Sequence, residues 1–363
     1  MNNKTDNKNV KLAGQTWLFG KRPVIVGSGT VVGKKEGEGP LGPYFDVIHD
    51  DNWLGNNSFE KAEQKILEEA CNLAVRKSGL KRENINFHFS GDLLNQTTSS
   101  GFTAKSLGIP HFGIFGACST SMEGLALASY ITATGGARYA MASTCSHSNT
   151  SEKQFRYPNE YGSQKCDTAQ CTVIGGGAVV VAADGGEGCG ENCEKKKGND
   201  EAEIVVTAAT VGRVIDFGVA DPFNMGAAMA PAAADTICRH LSDCGVGADY
   251  YDLILTGDLG KVGFPILTEL LRQRGVVLAQ EKADDGGRLI YPDREEFLAG
   301  GSGCGCMASV AYGYILDQMR RGSLQRVLLV ATGALLSQLT VQQKQTIPCI
   351  AHGVALERNG VRG

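Results

Sequence analysis

Cys118 stands in Phe115-Gly116-Ala117-Cys118-Ser119-Thr120-Ser121-Met122, and from there to Thr134 the only charged residue is Glu123. A small-residue turn that delivers a cysteine to the first turn of a helix sets it against unpaired backbone N–H groups and the positive end of the helix dipole. That setting favours a thiolate or a ligand carboxylate. A helix apolar on every side must be buried on every side, so the cysteine is expected at a helix tip in the middle of the molecule. The plain alternative is a small buried cysteine that packs as an alanine would.

The elements that must position this turn belong to an ordinary globular chain of 363 residues, 42% apolar and 20% charged, long enough for two domains or one large duplicated one. A net charge of -4 gives no basic field, so nucleic acid is not an expected partner. The longest apolar stretch, 327–336, is far short of a membrane span, and residues 1–12 lack the apolar core of a signal peptide. Twelve cysteines without such a signal fit a reducing compartment and free thiols. Cys189 and Cys193 have the spacing of half a metal site, but no second pair accompanies them, so no metal is expected.

Residues 1–19 read as a loose arm and 23–26 as a short strand. The segment Gly27 to Lys35 superficially resembles a phosphate-binding loop, but Ser28 and Lys35 stand where that motif needs Gly and Ser or Thr, and Glu36-Gly-Glu-Gly-Pro is not expected to open a helix. It is read as a surface loop. From Asn57, a candidate N-cap, apolar residues recur at helical spacing to Ser78-Gly79. Helix and strand then alternate, implying a mostly parallel sheet with helices on both faces. The stretch 149–170, too long for a plain connector, suits either a flap over a pocket or a surface excursion. Residues 184–203 are polar, Gly- and Lys-rich, and are placed as a flexible linker.

The chain also aligns with itself. Gly79 to Leu93 matches Gly245 to Leu259 without gaps at an offset of 166, while Cys118, Ser121, Arg138 and Thr144 match Cys306, Ser309, Arg326 and Thr332 at an offset of 188. The difference places an insertion in the second copy around 280–296. One module is used twice, and its two apolar helices would be sandwiched between two sheets. The expected fold is α/β, five-layered α-β-α-β-α, made of two duplicated halves at 20–183 and 204–363. A pocket is expected where the buried helices present their N-termini.

These motifs resemble the thiolase and ketoacyl synthase superfamily. Gly116 to Thr120 resembles its nucleophile turn, Val173 to Val181 its condensing-enzyme strand, and Thr346 to Gly353 its C-terminal loop with a second cysteine, Cys349. The resemblance implies the five-layered thiolase-like fold, and the superfamily's habit implies a homodimer. Such enzymes use a histidine or asparagine pair to activate the cysteine or hold the oxyanion. Here the corresponding segments read Thr256-Gly257-Asp258 and Gly300-Gly301-Ser302-Gly303-Cys304-Gly305, with neither residue type. The expectation is a pocket that binds more than it reacts, with Cys118 and Cys349 as vestiges of catalysis.

More closely, Gly91 to Gln96, Phe155 to Pro158, Ala228 to Asp235 and Ala331 to Ser337 resemble the stage V sporulation protein AD family of spore-forming bacteria. That resemblance implies a non-catalytic protein that binds dipicolinic acid and works with stage V sporulation A-type membrane proteins to move it into the developing spore, peripheral to the spore inner membrane. It implies no cofactor beyond the calcium that dipicolinate often carries. Carried onto this sequence, it makes Asp92, Cys118 and His147 ligand-binding candidates, with Cys304 in the facing loop and Arg156 and Lys165 as flap cations. Asp92 also has the plain reading of a turn former and His147 that of a satisfied buried histidine. Asp258, the repeat mate of Asp92, is assigned to the turn alone. Two alternatives stand beside this: an active acyl-CoA thiolase or ketoacyl synthase using Cys118, and a structural partner subunit with a vestigial pocket.

Overall fold

The computed structural model describes residues 9–155, 165–183 and 202–359. Ten strands carry the fold: β1 (Val24–Val32), β2 (Phe87–Gly91), β3 (His111–Gly113), β4 (Tyr139–Ser146) and β5 (Gly175–Ala182), then β6 (Ile204–Thr210), β7 (Leu253–Gly257), β8 (Ala283–Asp285), β9 (Arg326–Ala334) and β10 (Cys349–Arg358). The first five run in the order β3-β2-β4-β5-β1 and the second five in the order β8-β7-β9-β10-β6, the same arrangement twice. In each half only the last strand runs against its neighbours. The halves meet at an edge where β6 and β1 share two residue pairs, Ile204 with Ile25 and Val205 with Val24.

The layers follow from period-two alternation along buried strands. On β4, Ala140 and Ala142 enter the central core while Tyr139, Met141 and Cys145 enter an outer one. On β9, Val327, Leu329 and Ala331 face the centre, whereas Leu328 and Val330 face the other outer core. Helix α1 (Phe59–Ser78) covers one outer face, followed by α2 (Thr98–Leu107). The middle layer is α3 (Thr120–Ala133) together with α7, built from Cys304–Ser309, a π-helical run Val310–Ile315 and Leu316–Arg321. Helix α4 (Ser148–Phe155) follows β4, and α5 (Met225–Cys244) with α6 (Gly260–Gln273) forms the second outer layer. The buried Tyr312 hydroxyl donates to Ser121 O at 2.9 Å and ties the two central helices together. The five-layered fold of two duplicated halves is therefore the observed one.

Four local expectations need correction. Residues 10–19 are not a loose arm: Val10–Ala13 and Thr16–Phe19 form a hairpin whose second strand pairs with β6. β1 does not stop at 26 but runs to Val32. Its glycines are there because α1 lies on them; a Cβ at Gly27 would stand 2.3 Å from Ala74 O and one at Gly29 2.4 Å from Ala70 O. The following residues Lys34–Gly37 do form one helical turn, because the buried Glu36 carboxylate accepts the Ile174 N–H at 3.0 Å and the Tyr291 hydroxyl and so pins it inward. The N-cap of α1 is Ser58, accepting from Lys61 N at 3.3 Å, not Asn57. The linker expected at 184–203 lies outside the described residues except for 202 and 203. No described helix is long and apolar enough to cross a membrane.

Candidate functional site

Cys118 sits just ahead of α3 and not inside its first turn. Ala117 adopts a positive φ of 49°, Ser119 occupies the N-cap position, and the helix begins at Thr120. The turn folds this way because its own backbone closes on itself. Ser119 N donates to Gly116 O (3.0 Å), Thr120 N to Ala117 O (3.2 Å), and Met122 N to Ser119 O (3.0 Å). Most of the tip's donors are thus already used, leaving the helix dipole but few free N–H groups for an anion.

Around the thiol stand acids and thiols. The Cys304 Sγ lies 2.9 Å from Ala117 O, and the Asp258 carboxyl lies against both Cys118 and Cys306. Burial, with Asp258 and Cys304 beside it, pushes the Cys118 thiol well above its usual range. Burial likewise raises Cys304, and it pushes the Cys349 thiol up to about 12. A buried thiol with an acid for a neighbour is a poor nucleophile.

Beside this turn opens a cavity of about 240 Å³. Phe115, Ala117, Cys118, Phe155, Phe223 and Leu336 make an apolar wall, and Ser302 and Gly303 close the far side. No histidine or asparagine is among its lining residues in the described parts of the chain. Among the described residues its one ionisable acid or base besides the Cys118 thiol is Glu152, on α4, paired with Lys165 at 2.7 Å. Among the described residues, no cluster of three or more His, Cys, Asp or Glu side chains is arranged to hold a metal.

Of the expected site residues Cys118 lines the cavity, Cys304 packs on the Cys118 turn and Lys165 meets it through Glu152, while Asp92 and His147 are not among its lining residues. Asp92 is fully buried, and its two oxygens accept Leu94 N at 2.8 Å and Ser100 N at 2.7 Å, which is the geometry of a turn former that also caps α2. His147 is fully buried; Nε2–H donates to Asn52 O (2.8 Å) while Nδ1 accepts Asn149 N (3.2 Å), fixing a neutral tautomer. Burial pulls its pKa down. Arg156 lies outside the described residues, and with it much of the expected flap. Cys349 is one strand position away from the cavity, paired in register with the lining residue Ala334.

Asp258, assigned from sequence to its turn alone, stands beside the Cys118 thiol. Its twin Asp92 is satisfied by two backbone donors, whereas Asp258, at a positive φ of 67°, takes one backbone donor, Gly303 N (2.8 Å) on Oδ2, and otherwise faces the Cys118 and Cys306 thiols. The gap-free match of the two copies pairs it with Asp92 and gives no sign of this difference. Glu123 was also overlooked as a site group. It packs beneath the Cys118 turn, its Oε2 is buried without a partner, and desolvation pushes its pKa to about 7.

The sign for Glu123 follows from its raised value. Its contribution is fully present below the unfolded carboxyl pKa and is lost as pH rises through about 7. Glu123→Gln should therefore match wild type at pH 4.5 and exceed it by about 2–3 kcal/mol at pH 8.5. Urea unfolding at the two pH values checks this; equal stability of the two proteins at pH 8.5 would refute it.

Comparison with known proteins fits this geometry. The chain resembles human mitochondrial 3-ketoacyl-CoA thiolase over 94% of its length and 99% of the other chain, with a TM-score of 0.57 and 12% identity. It also resembles 3-oxoacyl-[acyl-carrier-protein] synthase III from Aquifex aeolicus VF5, over 92% and 99% of the two chains, with a TM-score of 0.51 and 14% identity. At such identities the likeness shows the fold alone. The stage V sporulation protein AD of Bacillus subtilis (strain 168) is 49% identical over 353 residues, 97% of this chain and 99% of that one. The model of the family described as Stage V sporulation protein AD (SpoVAD) matches residues 13–357, so the chain belongs to the stage V sporulation protein AD family.

Proposed function

We propose that this chain is a non-catalytic binding protein for dipicolinate and serves its uptake into the developing spore during sporulation. The observation that carries the reading is an aromatic-walled cavity kept open at the condensing-enzyme position while its cysteine is surrounded by acids and thiols. A planar ring fits between Phe155, Phe223 and Phe115, where stacking and apolar burial supply affinity. A ligand carboxylate at the rim competes with Glu152 for Lys165. Calcium, when present, arrives with the ligand. The protein works at the spore inner membrane through stage V sporulation A-type membrane proteins, as a homodimer.

Calorimetry with dipicolinate, with and without calcium, tests the reading. Wild type should give saturable heat, and Lys165→Met should bind about ten-fold more weakly, equivalent to about 1.4 kcal/mol. No heat from the wild type would overturn it, and an acyl group trapped on Cys118 after incubation with an acyl-CoA would replace it with acyl transfer.

A further inference from the structure

The two halves share the sequence Gly-Asp-Leu at equivalent strand ends, yet the two aspartates do different things. Asp92 spends both oxygens on backbone N–H groups of its own turn. Asp258 reaches across to the N-terminus of α7, where Oδ2 accepts Gly303 N, while Gln170 Nε2 donates to its carbonyl at 2.6 Å and steadies the turn. No N–H or O–H of the described residues reaches Oδ1. The carboxyl lies against Cys118 and Cys306, and the other groups acting on the pair are Asp285, from the end of β8, and Cys304, from α7. With no N–H or O–H on Oδ1, the groups that meet this carboxyl besides Gly303 N are the two thiols against it.

We infer that Asp258 is a positioning residue that holds Cys118 in its S–H form, so that the cavity can bind a ligand without attacking it. The reason is the order of ionisation in a coupled pair. Of a carboxyl and a thiol in contact, the carboxyl gives up its proton first. A thiolate would then be a second negative charge in a dry site with acids and thiols on every side named above. The inference takes the binding cavity from the function proposed above, but its test does not use dipicolinate, so the two can fail separately.

The test is the rate of carboxamidomethylation of Cys118 by iodoacetamide from pH 6 to 10, read by peptide mass spectrometry with the exposed Cys166 as internal reference. In wild type the Cys118 rate should keep rising to the top of the range without a plateau. Asp258→Asn keeps the side-chain shape, and asparagine tolerates the positive φ. It should alkylate at Cys118 at least ten-fold faster at pH 8.5, with its inflection moved down by one pH unit or more. A merely structural role would not shift that profile. A wild-type plateau below pH 9, or a folded Asp258→Asn protein with an unchanged profile, would overturn the inference. Should Asp258→Asn fail to fold, Asp258→Ser and the wild-type profile decide it in the same way.

Discussion

Asp285→Ala should lose about 3–5 kcal/mol of stability. Asp285 is fully buried at the end of β8, and four donors converge on it. Thr256 Oγ1 (2.8 Å) and Leu259 N (3.0 Å) donate to one oxygen, and Gly260 N (2.9 Å) and Gly287 N (3.0 Å) to the other. Leu259 N and Gly260 N open α6, so the carboxylate caps that helix as well as bracing the Gly286–Leu289 turn. Burial raises its pKa, yet the donors answer both oxygens. Removing it strands several buried donors at about 1–3 kcal/mol each, partly relieved by entering water. Asp285→Asn, which keeps one acceptor, should lose about half as much. Urea denaturation measures both, and a loss below about 1 kcal/mol for the alanine variant would show that the network contributes little.

Gly333→Ala should cost about 1–3 kcal/mol and weaken ligand binding at least ten-fold. A Cβ on Gly333 would stand 2.1 Å from Gly116 O and 3.2 Å from Ser119 N. The obstacle is backbone, which cannot rotate away as a side chain can, so the Cys118 turn must move. That turn supplies Phe115, Ala117 and Cys118 to the cavity, and Ala334, next along β9, lines it too. Differential scanning fluorimetry and dipicolinate calorimetry read the two effects. Retention of both melting temperature and heat would mean that Gly333 does not pack on the Cys118 turn.

The architecture was legible because duplication left a gap-free match around Asp92 and Asp258 and a second around Cys118 and Cys306. The buried helices were legible from their lack of charge. The π-helical run Val310–Ile315 within α7 was not, since nothing in an apolar stretch distinguishes one turn type from another. β1 was cut short because Gly27 and Gly29 look like loop residues, while the reason for them is a helix more than forty residues away. The hairpin at 10–19 carries one local signal, Gly14 with its positive φ of 57° at the turn, while its strands lack the alternation that marks a strand in sequence. The site was the least legible part. Phe115, Phe155 and Phe223 come from separate segments and converge only through the fold. Glu63 reads as the polar face of an amphipathic helix, yet it is buried and accepts Thr150 Oγ1 at 2.5 Å beneath α4. Identical Gly-Asp-Leu turns carry one aspartate held by two backbone donors and one that faces two thiols, a difference that no local pattern encodes.

The hairpin's pairing has a consequence for how the molecule is made. Thr16–Phe19 lies on β6, and Asp243 of α5 accepts Gln15 N and Thr16 Oγ1, each at 2.9 Å. The outer edge of Thr16–Phe19 therefore stays uncovered until about two hundred further residues have been synthesised. During that interval the hairpin and the edge of β1 are open to other chains. β6 pairs with both, so the seam between the halves can close only once that strand has been made.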